Sequence, residues 1–131
     1  MGARKYIGRL QELPTPFYFY DMDLLRGTLA TAVSEASRYG YRIHYALKAN
    51  FDTIRQAGLG ADCVSGNEVR AAIEAGFPAE GIVFAGVGKT DREIEYALGQ
   101  DIFSFNCESA AEMEAINAIA ERMGRRARVA L

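Results

Sequence analysis

Short apolar runs along the chain alternate with longer stretches in which apolar residues recur every three or four positions. The runs are F-Y-F-Y (17–20), Y-A-L-K-A (45–49), A-D-C-V-S (61–65), I-V-F-A-G (82–86), I-F-S-F-N (102–106) and R-V-A-L (128–131). They start about every 20 residues, the length of one strand plus one helix. Between them the period becomes helical. Leu25, Leu29, Val33 and Ala36 share one face of a predicted helix that Asp21 or Asp23 can cap and Gly40 can close. Ser65 with Glu68, Thr90 with Glu93, and Ser109 with Glu112 each follow a strand-like run with the spacing of a capping box, in which side chains and backbone cap one another. Gly76, Gly99 and Gly124 are the matching stops. Strands that are apolar almost throughout need cover on both faces, and helical crossovers supply it, so the pattern predicts an α/β fold with a parallel sheet.

Two architectures suit this pattern: a complete flavodoxin-like open sheet, or the first half of a (βα)8 barrel, which takes about 250 residues. Periodicity does not choose between them. From Asn50 to Ala61 the chain leaves about ten residues for a crossover, which predicts a helix of under two turns. The last run, R-V-A-L, reads as a strand with no helix after it, as in a domain that ends on a strand or in a fragment.

Composition narrows the class of protein. The 131 residues are 50% hydrophobic and 24% charged with a net charge of -2, as expected of one globular domain. Basic and acidic residues are interspersed, so neither nucleic acid nor an anionic membrane is an expected partner. No apolar run approaches the roughly 20 residues that span a bilayer, and the first ten residues have no secretory core, so the expected location is cytoplasmic. Cys63 and Cys107 stand alone in apolar runs, as buried thiols do in a reducing compartment; a metal site is not expected.

Several residues carry candidate chemistry. A-G-V-G-K-T (85–90) has the setting of a phosphate-binding loop, between strand and helix, but the first glycine of that motif falls on Val83, and Asp91 replaces the last glycine of the dinucleotide pattern. A tight loop capped by Thr90 is the simpler reading. In H-Y-A-L-K-A-N, strand alternation puts His44, Ala46 and Lys48 on one face and Tyr45, Leu47 and Ala49 on the other. The larger apolar residues face the helices, so in a barrel Lys48 points inward at the carboxyl end of its strand, where barrel active sites are built. A desolvated lysine there has a lowered pKa and suits Schiff-base chemistry; a strand-end lysine reaching to solvent is the alternative. Asp62 lies one residue into the next strand and faces inward or outward according to a register the sequence leaves open; inward, it can pair with an ammonium or polarise a cofactor. Asn106 and Glu108 fall at the same rim, Glu108 also serving as a helix-start acid. His44, at the strand's amino end, reads as structural.

Taken together and in order, Y-A-L-K-A-N, G-A-D-C-V-S-G-N-E, A-G-F-P, I-V-F-A-G-V-G-K-T-D and F-N-C-E-S resemble the amino-terminal part of the diaminopimelate decarboxylase family, within the alanine-racemase-like pyridoxal-phosphate enzymes. The resemblance runs from Leu13 onward. It implies an N-terminal strand and helix over residues 1–40, the strand T-P-F-Y-F-Y-D belonging with a C-terminal β-domain that is not in this sequence, and the first half of a pyridoxal-phosphate-binding (βα)8 barrel over 41–131. It further implies that Lys48 is the Schiff-base lysine, that Ala46 is the small residue beneath the cofactor ring, and that Asp62 is an acid near the cofactor. The implied reaction is decarboxylation of meso-2,6-diaminopimelate, a small diamino acid, to L-lysine by a homodimer. Y-A-x-K-A-N alone also suits ornithine decarboxylase or alanine racemase relatives; a decarboxylase of the same fold acting on ornithine, arginine or carboxynorspermidine is the alternative, and a non-catalytic flavodoxin-like or cofactor-binding module is the reading from another class. Members of the family have about five more residues after the K-A-N motif. The glycine-rich phosphate loop, the ring-stacking histidine and the substrate-binding arginines do not occur here, so the chain is expected to be inactive alone.

Overall fold

The structure is a computed structural model that describes residues 3–131. A short helix, α1 (Ile7–Leu10), precedes α2 (Met22–Ser37), after which strands and helices alternate: β1 (His44–Ala46), α3 (Phe51–Gln56), β2 (Gly60–Cys63), α4 (Gly66–Glu74), β3 (Ile82–Phe84), α5 (Asp91–Gly99), β4 (Ser104–Asn106), α6 (Ala110–Arg122) and β5 (Val129–Ala130).

All neighbouring strands are parallel and the sheet order is β1-β2-β3-β4-β5. That order decides between the two architectures. A flavodoxin-like sheet reverses direction after its first crossover, giving order 2-1-3-4-5, whereas here every crossover steps to the next neighbour in one direction, as in a barrel. The sheet is also bowed. The rings of His44, on β1, and Phe103, just before β4, lie 5.8 Å apart between centroids, although three strand spacings would separate them by about 14 Å in a flat sheet.

The convex side carries the core. Leu47, Ala61, Cys63, Ile82 and Phe84 are fully buried there, under Ile54 of α3, Val69 of α4, Ile94 of α5 and Ile116 of α6. Burial pushes the Cys63 thiol up to about 12, consistent with a packing role. On the concave side the register places Ala46, Asp62, Val83 and Ser104 in one row across four strands. The inward register for Asp62, left open by the sequence, follows from its pairing with Ala46.

Helix starts have the expected capping residues, but only one of the three expected capping boxes is reciprocal, since Glu68 and Glu112 accept from the Val64 and Glu108 amides, one residue before the capping serines. Asp21 accepts from the Leu24 amide, Ser65 from Glu68 and Ser109 from Glu112, while Thr90 and Glu93 form a reciprocal capping box. One expected stop differs: Gly99 lies within α5, and the left-handed residue that ends the turn is Asp101, at φ 55°. Its side chain is not sterically idle, since Arg128 donates to both its carbonyl and its carboxylate. Helix α3 has six residues, the under-two-turn helix anticipated from the short crossover.

F-Y-F-Y, expected to form a strand with a C-terminal β-domain, forms no strand among the described residues and is exposed, Tyr18 at 90%. Its pattern is strand-like, but a strand needs a neighbour to satisfy its backbone, and among the described residues none lies beside it.

Candidate functional site at the carboxyl rim of the sheet

Lys48 stands two residues beyond β1, whose pairing is continued by Leu47, its amide donating to the Asp62 carbonyl at 3.1 Å. With Leu47 buried against the helices, Lys48 is left at the open rim. Its ammonium donates to Glu68 Oε1 at 2.9 Å, and its side chain is 63% exposed. Among the described residues no strand opposes the concave face, so the amine meets water as a strand-end lysine does; the desolvated reading belongs to a closed barrel.

Glu68 was legible in the sequence only as a cap. It is the third residue of α4, and its Oε2 accepts from the Val64 amide at 2.7 Å, one residue before the capping Ser65. This geometry leaves Oε1 for Lys48, one βα unit earlier in the chain. Burial pushes the Glu68 carboxyl upward, but the Val64 amide and the Lys48 ammonium outweigh it and hold the group below its ordinary value.

The same division of labour recurs along the rim. Glu93 accepts from Thr90 through Oε2 and, through Oε1, from the Gly66 amide at the start of the preceding helix, 2.7 Å away. Glu112 accepts from the Glu108 amide through Oε2 and from the Lys89 ammonium through Oε1 at 2.6 Å. Each of these third-position glutamates spends one oxygen on its own loop and the other on the preceding βα unit. A capping motif shows the first bond in sequence and hides the second, which joins segments 20 to 27 residues apart.

Lys89, the lysine of the phosphate-loop-like segment, is the buried one. Its side chain is 1% exposed, and its ammonium donates to the carbonyls of Gly86 and Asn106 at 2.7 and 2.9 Å as well as to Glu112. An ammonium has three protons to donate, so none is left for a phosphate. Gly86 and Gly88 take φ +84° and +69°, and a Cβ on Gly86 would come within 3.0 Å of the Val64 carbonyl, so these glycines serve the tight turn. Asn106 likewise commits its carbonyl to Lys89, and Glu108 precedes the capping Ser109 instead of standing in the first helical turn.

Below Lys48, Ala46 leaves the concave face uncrowded, and Asp62 lies beside it with Oδ1 buried and without a hydrogen-bond partner among the described residues. A buried carboxylate oxygen without a donor is costly, so it fits a site that receives a donor or cation from a ligand. His44 lies toward the amino end of the same face, its ring over Gly60, where a Cβ would meet it at 2.4 Å. Burial, opposed by Asp62 and assisted by Arg42, holds His44 below its ordinary value. A cavity of about 370 Å³ opens at that amino end, against His44 and Gly60, and does not include Lys48, Asp62 or Glu68.

Sequential parallel strands, a bowed sheet and an amine at the carboxyl rim above a small-residue row define the amino-terminal part of a (βα)8 barrel with a rim lysine. Comparison with known proteins places it more closely. Residues 27–131 match the family described as pyridoxal-dependent decarboxylase, pyridoxal binding domain, and the chain belongs to that family. It is 51% identical to diaminopimelate decarboxylase of Bacteroides thetaiotaomicron over 130 residues, covering 95% of this chain and 34% of that protein. The corresponding enzyme of Aquifex aeolicus is 40% identical over 129 residues, covering 92% of this chain and 30% of that protein. The crystal structure of a mutant diaminopimelate decarboxylase from Helicobacter pylori complexed with L-lysine superposes with a TM-score of 0.77 at 39% identity, covering 95% of this chain and 33% of that one. The chain thus spans about a third of the length of the relatives it matches.

Proposed function

We propose that the full-length protein carrying this chain is a pyridoxal-phosphate-dependent decarboxylase that converts meso-2,6-diaminopimelate to L-lysine. One observation carries the reading: an accessible lysine amine with a single partner stands at the carboxyl rim, directly above a concave row that contains Ala46 and an unpartnered carboxylate oxygen of Asp62. The identity to diaminopimelate decarboxylases supports the choice of substrate.

In this reading Lys48 holds the cofactor covalently, Ala46 leaves room for its ring, and the free oxygen of Asp62 accepts a hydrogen bond from it or faces its positive charge. When bound, pyridoxal phosphate supplies an electron sink for the electron pair released with carbon dioxide. The remaining tasks belong to the chain. Lys48 must shed a proton to solvent before its nitrogen can act as a nucleophile, and Glu68 Oε1, 2.9 Å away, holds the amine in its direction. Glu68 in turn is kept ionised and oriented by the Val64 amide. Lys89 and Glu112 clamp the neighbouring loop so that the rim keeps its shape.

The family likeness also supports a homodimer working in the cytoplasm; among the described residues no helix is long and apolar enough to cross a membrane. Among the described residues β1 and β5 are the outer strands with unpaired edges, and the 131-residue chain by itself is proposed to be inactive and prone to associate. Borohydride reduction of the full-length protein with pyridoxal phosphate, followed by peptide mapping, is expected to label Lys48, and the same protein is expected to release carbon dioxide from meso-diaminopimelate in preference to ornithine or arginine. A label on another residue, equal turnover of ornithine, or turnover by the isolated chain would contradict the corresponding part of the proposal.

A further inference from the structure

Among the described residues Glu93 makes no hydrogen bond to Lys48, yet its side chain is built into the support of the amine. Its Oε1 receives the Gly66 amide at 2.7 Å, and Gly66 is the first residue of α4. The amides of a helix's first turn have no partner within the helix, so this bond fixes where α4 begins. The carbon skeleton of Glu93 fills the space over Gly66 as well: a Cβ at Gly66 would lie 2.4 Å from Glu93 Cγ and 2.9 Å from its Cβ. Two residues further on, Glu68 projects from the same first turn and holds the Lys48 ammonium. The other Glu93 oxygen is anchored by the Thr90 amide and hydroxyl, which tie it to the start of α5. A continuous line of contacts therefore runs from α5 through Glu93 to the first turn of α4, and from there through Glu68 to Lys48.

We propose that Glu93 is a positioning residue for Lys48: by clasping the Gly66 amide it sets the place of the first turn of α4, and so the direction from which Glu68 orients the lysine amine. The proposal rests on the reading of Lys48 as the cofactor-binding amine. It differs from a capping role for α5, because the cap uses Oε2 alone while the clasp uses Oε1. Gly66 is the complementary half of the device, since only a residue without a side chain lets the glutamate lie across the helix start.

The experiment is a double-mutant cycle in the full-length protein, reading the rate at which added pyridoxal phosphate becomes covalently attached, by absorbance and by borohydride trapping at Lys48. Glu93→Ala is expected to slow attachment by about tenfold, a loss in keeping with a small displacement of a reacting group. If Glu93 acts through Glu68, the variant Glu68→Ala/Glu93→Ala should attach cofactor no more slowly than Glu68→Ala alone. Glu93→Gln keeps a carbonyl oxygen for the Gly66 amide but loses the charged acceptor at Thr90. It is expected to lower thermal stability while restoring attachment to near the wild-type rate, and it serves if Glu93→Ala does not fold. Additive effects in the cycle, unchanged attachment in Glu93→Ala, or failure of Glu93→Gln to rescue would each overturn the positioning role. Lys48→Ala is the control: attachment that persists in it would show that the reading of Lys48, and the proposal resting on it, is at fault, whereas its loss alongside additive effects would overturn the role of Glu93 alone.

Discussion

Two lysines at the rim of this sheet are held in nearly the same way and end in opposite conditions. Lys48 and Lys89 each donate to the third-position glutamate of a following helix, Glu68 and Glu112, and each glutamate uses its other oxygen on the amide just before its capping serine. Yet Lys89 is 1% exposed with three acceptors, and Lys48 is 63% exposed with one. Lys89 sits in a loop that curls back on itself, so its own Gly86 carbonyl and the end of β4 close around it. Lys48 follows an edge strand and has a neighbour on one side only. The local clasp is shared; among the described residues the Gly86 loop and the end of β4 close around Lys89, and nothing closes around Lys48.

Replacing the two lysines is the sharpest way to break this comparison. Lys89→Met removes one partner of a buried pair and strands Glu112 and two carbonyls, which costs on the order of 3–5 kcal/mol. Denaturant unfolding of the full-length protein should show it, and a loss below about 1 kcal/mol would mean that the rim does not depend on Lys89. Gly66→Ala, which drives a Cβ into Glu93, is expected to cost about 1–3 kcal/mol by the same measurement.

Acid sharpens the comparison further. The Glu112 carboxyl is pushed up by burial but held below its ordinary value of 4.5 by the Glu108 amide and Lys89, and Glu68 is held below it in the same manner. A carboxyl with a lowered pKa in the folded state stabilises fully above about pH 4.5 and loses that contribution as the pH falls through the folded value. Stability measured from pH 6 down to pH 3 should therefore drop below pH 4.5. In the 131-residue chain the drop should flatten more in Glu112→Gln than in Glu68→Gln, because solvent weakens the exposed Lys48 pair. The smallest effect belongs to Lys48→Met, expected to change the stability of the 131-residue chain, in which its side chain is 63% exposed, by no more than about 0.5 kcal/mol, and in the full-length protein to abolish covalent attachment of pyridoxal phosphate. A loss as large as that of Lys89→Met would erase the distinction between the two lysines.

Much of this molecule was legible residue by residue. The Asp21, Ser65, Thr90 and Ser109 caps stand where their spacing put them, because a cap involves residues three apart and little else. The short α3 followed from counting residues between two strands. A distant partner decides what the local pattern cannot. F-Y-F-Y has the composition of a strand, and its expected partner, a C-terminal β-domain, is not among the described residues. Gly99 has the look of a helix stop, but α5 runs through it and Asp101 takes the left-handed turn, its carboxylate and carbonyl bound by Arg128 from 27 residues away. Lys48 stands at the strand end that alternation assigned it, and its exposure is a matter of the tertiary neighbours among the described residues.

Amino-acid order by itself determined the alternation of strand and helix, the helix caps and the parity that puts Ala46 and Lys48 on one side of β1, since these depend on near neighbours and on the two periods of the backbone. Only the tertiary structure decided the sequential strand order, the pairing of Ala46 with Asp62, the burial of Lys89 in place of Lys48, and the second bond of each rim glutamate. Those features join groups 16 to 27 positions apart, and no local preference records which of two chemically equal carboxylate oxygens will find a partner in the preceding unit.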